Sequence, residues 1–156
     1  MAALDFAPGS VESGCVDSAH WVTAAVEGMI VRIETGVLVI DLDGDGNEQT
    51  GWNVLYLHVD HDNQFQIGDW VERGAQLGNP ACIGGFSTGT HLHIARKYNG
   101  EWMNAGGAVP FELSGWTAVD GGAPYKGSLV RAGDVVIAST GSGAETRIAR
   151  GPSDPH

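Results

Sequence analysis

The chain has 156 residues, of which 42% are hydrophobic and 17% charged, enough for one compact domain with a buried core. Its 19 acidic residues outnumber its 8 basic ones and give a formal net charge of −11, so nucleic-acid binding and a basic face for anionic lipid are excluded. No stretch approaches the roughly 20 apolar residues of a membrane-spanning helix, and no signal segment opens the chain. Its 24 glycines and short runs of Val, Ile and Thr indicate an all-β, mostly antiparallel fold.

Short strands separated by turn residues are predicted along most of the chain. Pro8-Gly9, Glu34-Thr35-Gly36 and Asn99-Gly100 are typical of turns, and apolar runs lie beside them. Residues 108–117 predict irregular structure, and the sequence from 140 onward loses its periodicity, which predicts a disordered tail over residues 140–156. The predicted strands cover residues 3–7, 29–33, 37–42, 52–59, 90–95, 125–131 and 134–138.

A turn pattern in the middle of the chain indicates the kind of β fold. The pattern G-D-x-V-x-x-G-x-x-L-G between residues 68 and 78 is typical of small β-sandwich hybrids, which include biotinyl and lipoyl carriers. A carrier needs a lysine exposed at a tight hairpin. Lys97 and Lys126, the two lysines of the chain, lie in other contexts, so a carrier function is disfavoured.

An acidic loop lies between two of the predicted strands. Its residues Asp41, Asp43, Asp45 and Gly46 match the D-x-D-x-D-G opening of a calcium-binding loop. Trp52 stands where an EF-hand has its bidentate glutamate, and strands rather than helices flank the loop, so an EF-hand is excluded. Two interpretations stay open: a weaker calcium-binding turn, and an acidic turn that binds no ion.

Two histidines two residues apart form the most informative motif. In an extended strand such residues share a face, so the side chains of His91 and His93 are predicted on one face of the strand and that of Leu92 on the other. The glycines that precede them, Gly84 and Gly85, predict a loop in which backbone segments approach closely. The alternative interpretation is a pair of surface histidines on a polar strand face.

Asp5, His58, His91 and His93 need a joint explanation, and a carboxylate together with imidazoles suits a catalytic zinc centre. Such a centre takes three protein ligands and keeps a fourth position for water, whose pKa falls to about 7. A further imidazole near that water can orient it, accept its proton or stabilise an oxyanion.

Four segments of the chain resemble the lysostaphin-like and LytM-like zinc endopeptidases of bacterial cell walls. They are residues 4–8, 56–58, 68–78 and 87–93, the last with the sequence S-T-G-T-H-L-H, and they occur in the family's order. The resemblance covers residues 1 to about 105. It implies that Asp5 and His93 bind zinc and that His58 and His91 flank the catalytic water.

The same resemblance implies a fold, a substrate and a location. It implies a β-sandwich or barrel-sandwich hybrid with a groove floored by a sheet, which cuts peptide bonds in peptidoglycan stem peptides or cross-bridges. The metallopeptidase domain is then predicted over residues 1–139, with a core at 1–105 and an extension at 106–139. We expect a secreted, extracytoplasmic protein whose signal segment lies outside this chain.

The two cysteines, Cys15 and Cys82, are too far apart for a C-x-x-C metal knuckle. Their number alone leaves a disulfide and a pair of free thiols equally open. In the family's topology both cysteine segments lie near the loops that form the groove, so the resemblance implies a Cys15–Cys82 disulfide.

One position departs from the family. Its first zinc ligand is a histidine four residues before the aspartate, and Met1 stands at that position here. A thioether is a poor ligand for zinc, so the chain as written supplies two good ligands where three are needed. We expect that the chain is a fragment whose start methionine replaces the histidine. The alternative is a catalytically inactive module that binds or regulates peptidoglycan.

Overall fold

The computed structural model describes residues 2–139 and 146–150, which form short strands joined by turns and loops. Met1 and most of the predicted tail, residues 140–145 and 151–156, lie outside the described residues. The chain divides into two compact units; one spans Ala3–Trp102, and the other contains the described residues from Met103 onward together with Ala2. In the part of the chain that is described, no helix has the length and apolar character needed to cross a membrane.

The unit of residues 3–102 is built from two antiparallel sheets. The strands are β1 (Ala3–Phe6), β2 (Val22–Thr23), β3 (Gly28–Glu34), β4 (Val37–Asp41), β5 (Trp52–Leu57), β6 (Val59–Asp60), β7 (Trp70–Val71), β8 (Gln76–Pro80), β9 (Leu92–Tyr98) and β10 (Glu101–Trp102). The larger sheet has the strand order β1-β9-β5-β4-β3-β7, with β10 paired to β9, and the smaller has the order β2-β8-β6. Every strand pairing in this unit is antiparallel, which confirms the predicted fold class.

The core of this unit lies around β4, whose five residues are all buried. The sequence V-L-V-I of this strand has no polar alternation, as expected for a strand that is covered on both faces. β5 pairs with β4 and contributes Tyr56, which is fully buried. The Tyr56 hydroxyl accepts a hydrogen bond from the Ala25 N–H at 2.8 Å, so its polar end is satisfied inside the core.

The predicted hairpin around Thr35-Gly36 is confirmed, because Glu34 of β3 pairs with Val37 of β4. Gly36 has a φ of +70°, and a Cβ at this position would lie 2.7 Å from the Ile83 carbonyl oxygen. Gly84 makes the reciprocal approach, since a Cβ there would lie 2.6 Å from the Thr35 carbonyl oxygen. These two glycines therefore bring the loop around Ile83 against the hairpin, as the glycine-rich sequence predicts.

The second unit contains a four-stranded antiparallel sheet in simple chain order. Its strands are β11 (Glu112–Leu113), β12 (Trp116–Asp120), β13 (Gly127–Arg131) and β14 (Asp134–Ile137). The predicted last hairpin is confirmed by β13 and β14. The prediction of irregular structure over residues 108–117 is wrong, because Ser114 and Gly115, both with positive φ, form a tight turn between β11 and β12.

Candidate metal centre

Asp5 and His93 meet across neighbouring strands. Asp5 of β1 lies directly opposite His93 of β9 in the antiparallel register. Directly opposite residues in such a pair have side chains on the same face and within contact distance. The His93 Nδ1 atom consequently lies 2.8 Å from Asp5 Oδ1. Two residues 88 positions apart in the sequence thus share one hydrogen bond.

His91 and His58 complete a cluster around this pair. The His91 Nε2 atom lies 3.9 Å from Asp5 Oδ1. Asp5, His91 and His93 each offer a ligand atom within 4.8 Å of the others. The His58 ring centroid lies 4.5 Å from that of His91 and 6.5 Å from that of His93. The structure therefore brings together all four side chains that the sequence singles out.

His58 follows β5 directly, and its placement comes from the register of that strand. Leu57 of β5 pairs with His93, so the next residue lies beside the cluster. His58 has a φ of +65°, an uncommon conformation for a residue other than glycine, and it is buried. Strained backbone of this kind costs about 1–3 kcal/mol and occurs preferentially at functional sites.

Backbone carbonyls fix which nitrogen of two rings carries a proton. The His58 Nδ1 atom lies 2.7 Å from the Ile83 carbonyl oxygen, and the His91 Nδ1 atom lies 2.8 Å from the Gly89 carbonyl oxygen. A carbonyl oxygen can only accept, so both Nδ1 atoms are donors. In the neutral ring the lone pair is then on Nε2, and the His91 Nε2 atom is the one directed toward Asp5.

The electrostatics favour the charge states in which these groups bind metal or accept protons. Burial lowers the pKa of His58, and the neighbouring His91 and His93 lower it further. Burial raises the pKa of Asp5, but the His93 hydrogen bond and the three nearby imidazoles outweigh it, so the pKa of Asp5 falls below its ordinary value. Asp5 is therefore held as a carboxylate and His58 as a neutral ring.

The carboxylate of Asp5 and the imidazole of His93 fit zinc, because both are ligands that zinc takes in catalytic centres. The side chains of Asp5, His91 and His93 are 31%, 21% and 27% exposed, so the cluster is open to solvent on one side. Met1, which stands at the family's first ligand position, lies outside the described residues. His61 is not part of the cluster; its Nε2 atom pairs with the Glu34 carbonyl oxygen at 3.0 Å.

The segment before β2 is fastened to the loop that carries His91. Cys15 and Cys82 form a disulfide with a Cα–Cα distance of 5.8 Å, which confirms that prediction. The Thr90 N–H donates to the Gly14 carbonyl oxygen at 3.0 Å, and the Thr90 hydroxyl accepts from the Val16 N–H at 2.9 Å. Thr90 immediately precedes His91, so these contacts position the first histidine of the pair.

Sequence patterns miss several groups that orient the histidines. The carbonyls of Ile83 and Gly89 act through the backbone, which every residue type carries, so no motif marks them. The Ser87 hydroxyl, 3.3 Å from His91 Nδ1, falls inside the matched segment but has no pattern of its own. The available signal is the run of glycines around these residues, which indicates close backbone approach without saying to what.

Comparison with known proteins gives relatives of one kind. No family model matches the chain. It is 30% identical over 132 residues to the beta-lytic metalloendopeptidase of Achromobacter lyticus. The aligned region covers 80% of this chain and 32% of that protein. The chain is 37% identical over 65 residues to Protease LasA of Pseudomonas aeruginosa, which covers 38% of this chain and 16% of that protein. The chain thus spans about a third or less of the length of these relatives.

A solved structure shares the fold. It is described as a novel M23 metalloprotease, pseudoalterin, from the deep sea, and it matches with a TM-score of 0.70 and 26% sequence identity. The match covers 88% of this chain and 79% of that chain. The fold, the order of the motifs and the sequence relatives agree, and the chain belongs to the M23 metallopeptidase family, that of the LytM-like enzymes.

Proposed function

We propose that this chain is a zinc-dependent endopeptidase that hydrolyses peptide bonds in bacterial peptidoglycan stem peptides or cross-bridges. The observation that carries the proposal is the convergence of Asp5 and His93, 2.8 Å apart, with the imidazoles of His58 and His91, whose Nδ1 atoms lie at backbone carbonyl oxygens. The names of the relatives, a metalloendopeptidase and two proteases, support the class of reaction.

Asp5 and His93 would hold the metal. Their ligand atoms already lie close together, and the lowered pKa of Asp5 keeps the carboxylate ionised at neutral pH. A bound zinc ion acts as a Lewis acid and lowers the pKa of water to about 7, so that a nucleophile is available at neutral pH. The third ligand is expected at the position of Met1, where the family has a histidine.

His58 and His91 would move protons and stabilise charge. Each ring donates through Nδ1 to a backbone carbonyl, which leaves Nε2 as the proton acceptor for an attacking water. Once protonated, the same Nε2–H can donate to the oxyanion that forms on the scissile carbonyl, or to the leaving amine. The lowered pKa of His58 keeps that ring neutral, and so ready to accept a proton, at neutral pH.

An extracytoplasmic location is part of the proposal. The Cys15–Cys82 disulfide persists in oxidising compartments, and peptidoglycan lies outside the cytoplasmic membrane. The acidic surface, with a formal net charge of −11, suits a protein whose partners are peptides rather than nucleic acid.

The test measures zinc per chain by elemental analysis and the release of free amines from purified peptidoglycan. We expect His93→Ala to lose both zinc and amine release, and His58→Ala to keep zinc while amine release falls by about a hundredfold or more. The matched control is His20→Ala, because His20 is an exposed histidine outside the cluster. It should behave as the unaltered chain.

Met1→His tests the third ligand position. If the chain as written holds little zinc, we expect this substitution to restore close to one zinc per chain and to raise amine release. Binding of peptidoglycan without released amines, in both the zinc-loaded chain and Met1→His, would overturn the proposal in favour of an inactive peptidoglycan-binding module.

A further inference from the structure

The acidic loop lies at the opposite end of β5 from His58. It connects Asp41, the last residue of β4, to Trp52, the first residue of β5. Asp41 pairs directly with Asn53 across the two strands. The proposed peptidase centre uses none of these residues, so their role needs a separate explanation.

Asp41 is a buried carboxylate that is only partly satisfied. Its relative exposure is 0%. Its Oδ2 atom accepts a hydrogen bond from the Gly46 N–H at 2.9 Å, but its Oδ1 atom has no donor among the residues that the structure describes. A buried polar atom without a partner is costly, and such atoms are rare in native proteins unless water or an ion completes them.

Asn53 repeats the same pattern on the neighbouring strand. It is 1% exposed, and its Nδ2 atom donates to the Thr50 carbonyl oxygen at 2.9 Å. Its Oδ1 atom, like that of Asp41, finds no donor within the described part of the chain. Because directly paired residues carry their side chains on one face, two buried oxygens without donors lie at the base of the same loop.

The other two aspartates bring further oxygens to this position. Asp41, Asp43 and Asp45 each offer a carboxylate oxygen within 4.8 Å of the others, and Asp43 and Asp45 are exposed. A bound cation would bring these three carboxylates together by offsetting their mutual repulsion.

We propose that this loop binds a calcium ion, with Asp41, Asp43 and Asp45 as carboxylate ligands and Asn53 Oδ1 as the neighbouring amide oxygen. A set of metal ligands that are all oxygen atoms selects hard cations such as calcium and magnesium rather than zinc. Calcium accepts six to eight oxygens in irregular geometry, whereas magnesium requires a near-ideal octahedron. Magnesium also keeps several waters and usually takes only one or two carboxylates, so a loop that offers three carboxylates favours calcium.

A calcium ion here would tie the ends of β4 and β5 together. Both strands lie in the middle of the larger sheet, and β5 leads to His58. The site would stabilise the unit of residues 3–102 without taking part in hydrolysis. Since the loop shares no residue with the histidine cluster, calcium binding and peptidase activity can fail independently.

The test uses the full chain in calcium-free buffer, titrated with CaCl2 in a calorimeter and melted with and without millimolar CaCl2. We expect one calcium per chain and a rise in melting temperature of about 5 °C when calcium is well above its dissociation constant. Asp43→Asn should weaken calcium binding by about tenfold or more, since affinity follows the number of charged ligands. MgCl2 should give a smaller shift.

Asp62→Asn is the matched control. Asp62 is an exposed loop aspartate with a positive φ, which asparagine also tolerates, and the substitution makes the same change in net charge. It should keep the full calcium response. No binding heat and no melting shift in the unaltered chain would overturn the proposal. So would an Asp43→Asn response equal to that of Asp62→Asn.

Discussion

The unit of residues 3–102 carries the two proposed metal sites, and their side chains are brought together in opposite ways. Asp5, His91 and His93 come from distant parts of the chain and meet because β1 and β9 pair in one register. Asp41, Asp43 and Asp45 come from a single loop and are close for local reasons. The first cluster exists only when the sheet has formed, whereas the three aspartates of the second lie within five consecutive residues.

The two clusters also differ in the ligand atoms that they offer. The first cluster mixes imidazole nitrogens with a carboxylate, and its rings are oriented by backbone carbonyls of Ile83 and Gly89. The second offers oxygens alone, two of which are buried without donors. Ligand type therefore separates the proposed zinc site, suited to reaction, from the proposed calcium site, suited to stabilisation.

The largest expected effect is a reciprocal pair of substitutions that separates the two clusters. Asp5→Asn removes the carboxylate beside His93, so we expect peptidoglycan hydrolysis to fall on the order of a thousandfold while the heat of calcium binding stays unchanged. Asp43→Asn should do the reverse at 25 °C. Amine release and calorimetry on both variants check this, and a loss of both functions in either variant would contradict the separation.

The disulfide should matter more for the histidine cluster than for the acidic loop. Cys15 and Cys82 are 67 positions apart, and closing a loop of that length stabilises the folded chain by about 4 kcal/mol in the chain-entropy model. The double variant Cys15→Ser, Cys82→Ser should lose roughly that much free energy of unfolding in urea. The unaltered chain kept in reductant is the control and should match it.

Hydrolysis by the folded double variant should also fall, because the bond holds the segment whose Gly14 and Val16 contact Thr90, next to His91. Calcium affinity should stay within about twofold, since no residue of the acidic loop contacts that segment among the contacts described. An equal loss in both functions would show that the two clusters are not independent.

The sequence predicts the participants of both clusters but not what holds them. The H-x-H spacing and the order of the motifs predict His91 and His93, and the turn residues predict the β3–β4 hairpin that the structure confirms. The sequence does not predict which backbone carbonyls orient the imidazole rings, or that Asn53 Oδ1 has no hydrogen-bond donor in the described residues. Both depend on contacts between distant parts of the folded chain, which no side-chain pattern encodes.

Turn chemistry explains the error in the second unit. Ser114-Gly115 reverses the chain between two strands of which one, β11, has two residues. A strand of two residues is too short to show the alternation of polar and apolar side chains. Serine rarely adopts a positive φ, so the Ser-Gly pair does not predict a hairpin turn. By contrast Ala132-Gly133 is flanked by longer apolar runs, and those runs predict the β13–β14 hairpin.

A substitution in β5, the strand that carries Asn53 and precedes His58, should weaken zinc binding and calcium binding to a similar extent. Tyr56 of β5 lies between Asn53 and His58 and accepts the Ala25 N–H at 2.8 Å. Burial raises the pKa of Tyr56, so the hydroxyl stays protonated throughout the neutral range. Tyr56→Phe removes the acceptor of the part-buried Ala25 N–H and should cost about 1 kcal/mol in urea unfolding. Tyr98→Phe, at an exposed tyrosine, is the matched control. A selective loss of one metal would contradict the shared role.

The smallest effect is expected at Glu48, which joins the acidic loop to the sheet. Its carboxylate lies 2.7 Å from Arg32 Nε of β3 and 3.5 Å from Lys97 Nζ of β9. Because the three side chains are 17–32% exposed, the ion pairs are partly screened, and Glu48→Gln should cost about 0.5–1 kcal/mol, less at high salt.

Glu48 also adds a negative charge to the loop without belonging to the proposed ligand set. Its substitution should therefore lower calcium affinity by less than about threefold, a far smaller change than that of Asp43→Asn, and should leave hydrolysis unchanged. Glu72→Gln, at an exposed glutamate with no ion pair among the described contacts, controls for the change in net charge. A tenfold loss of calcium affinity in Glu48→Gln would move Glu48 into the ligand set, because a screened surface charge cannot produce so large an effect.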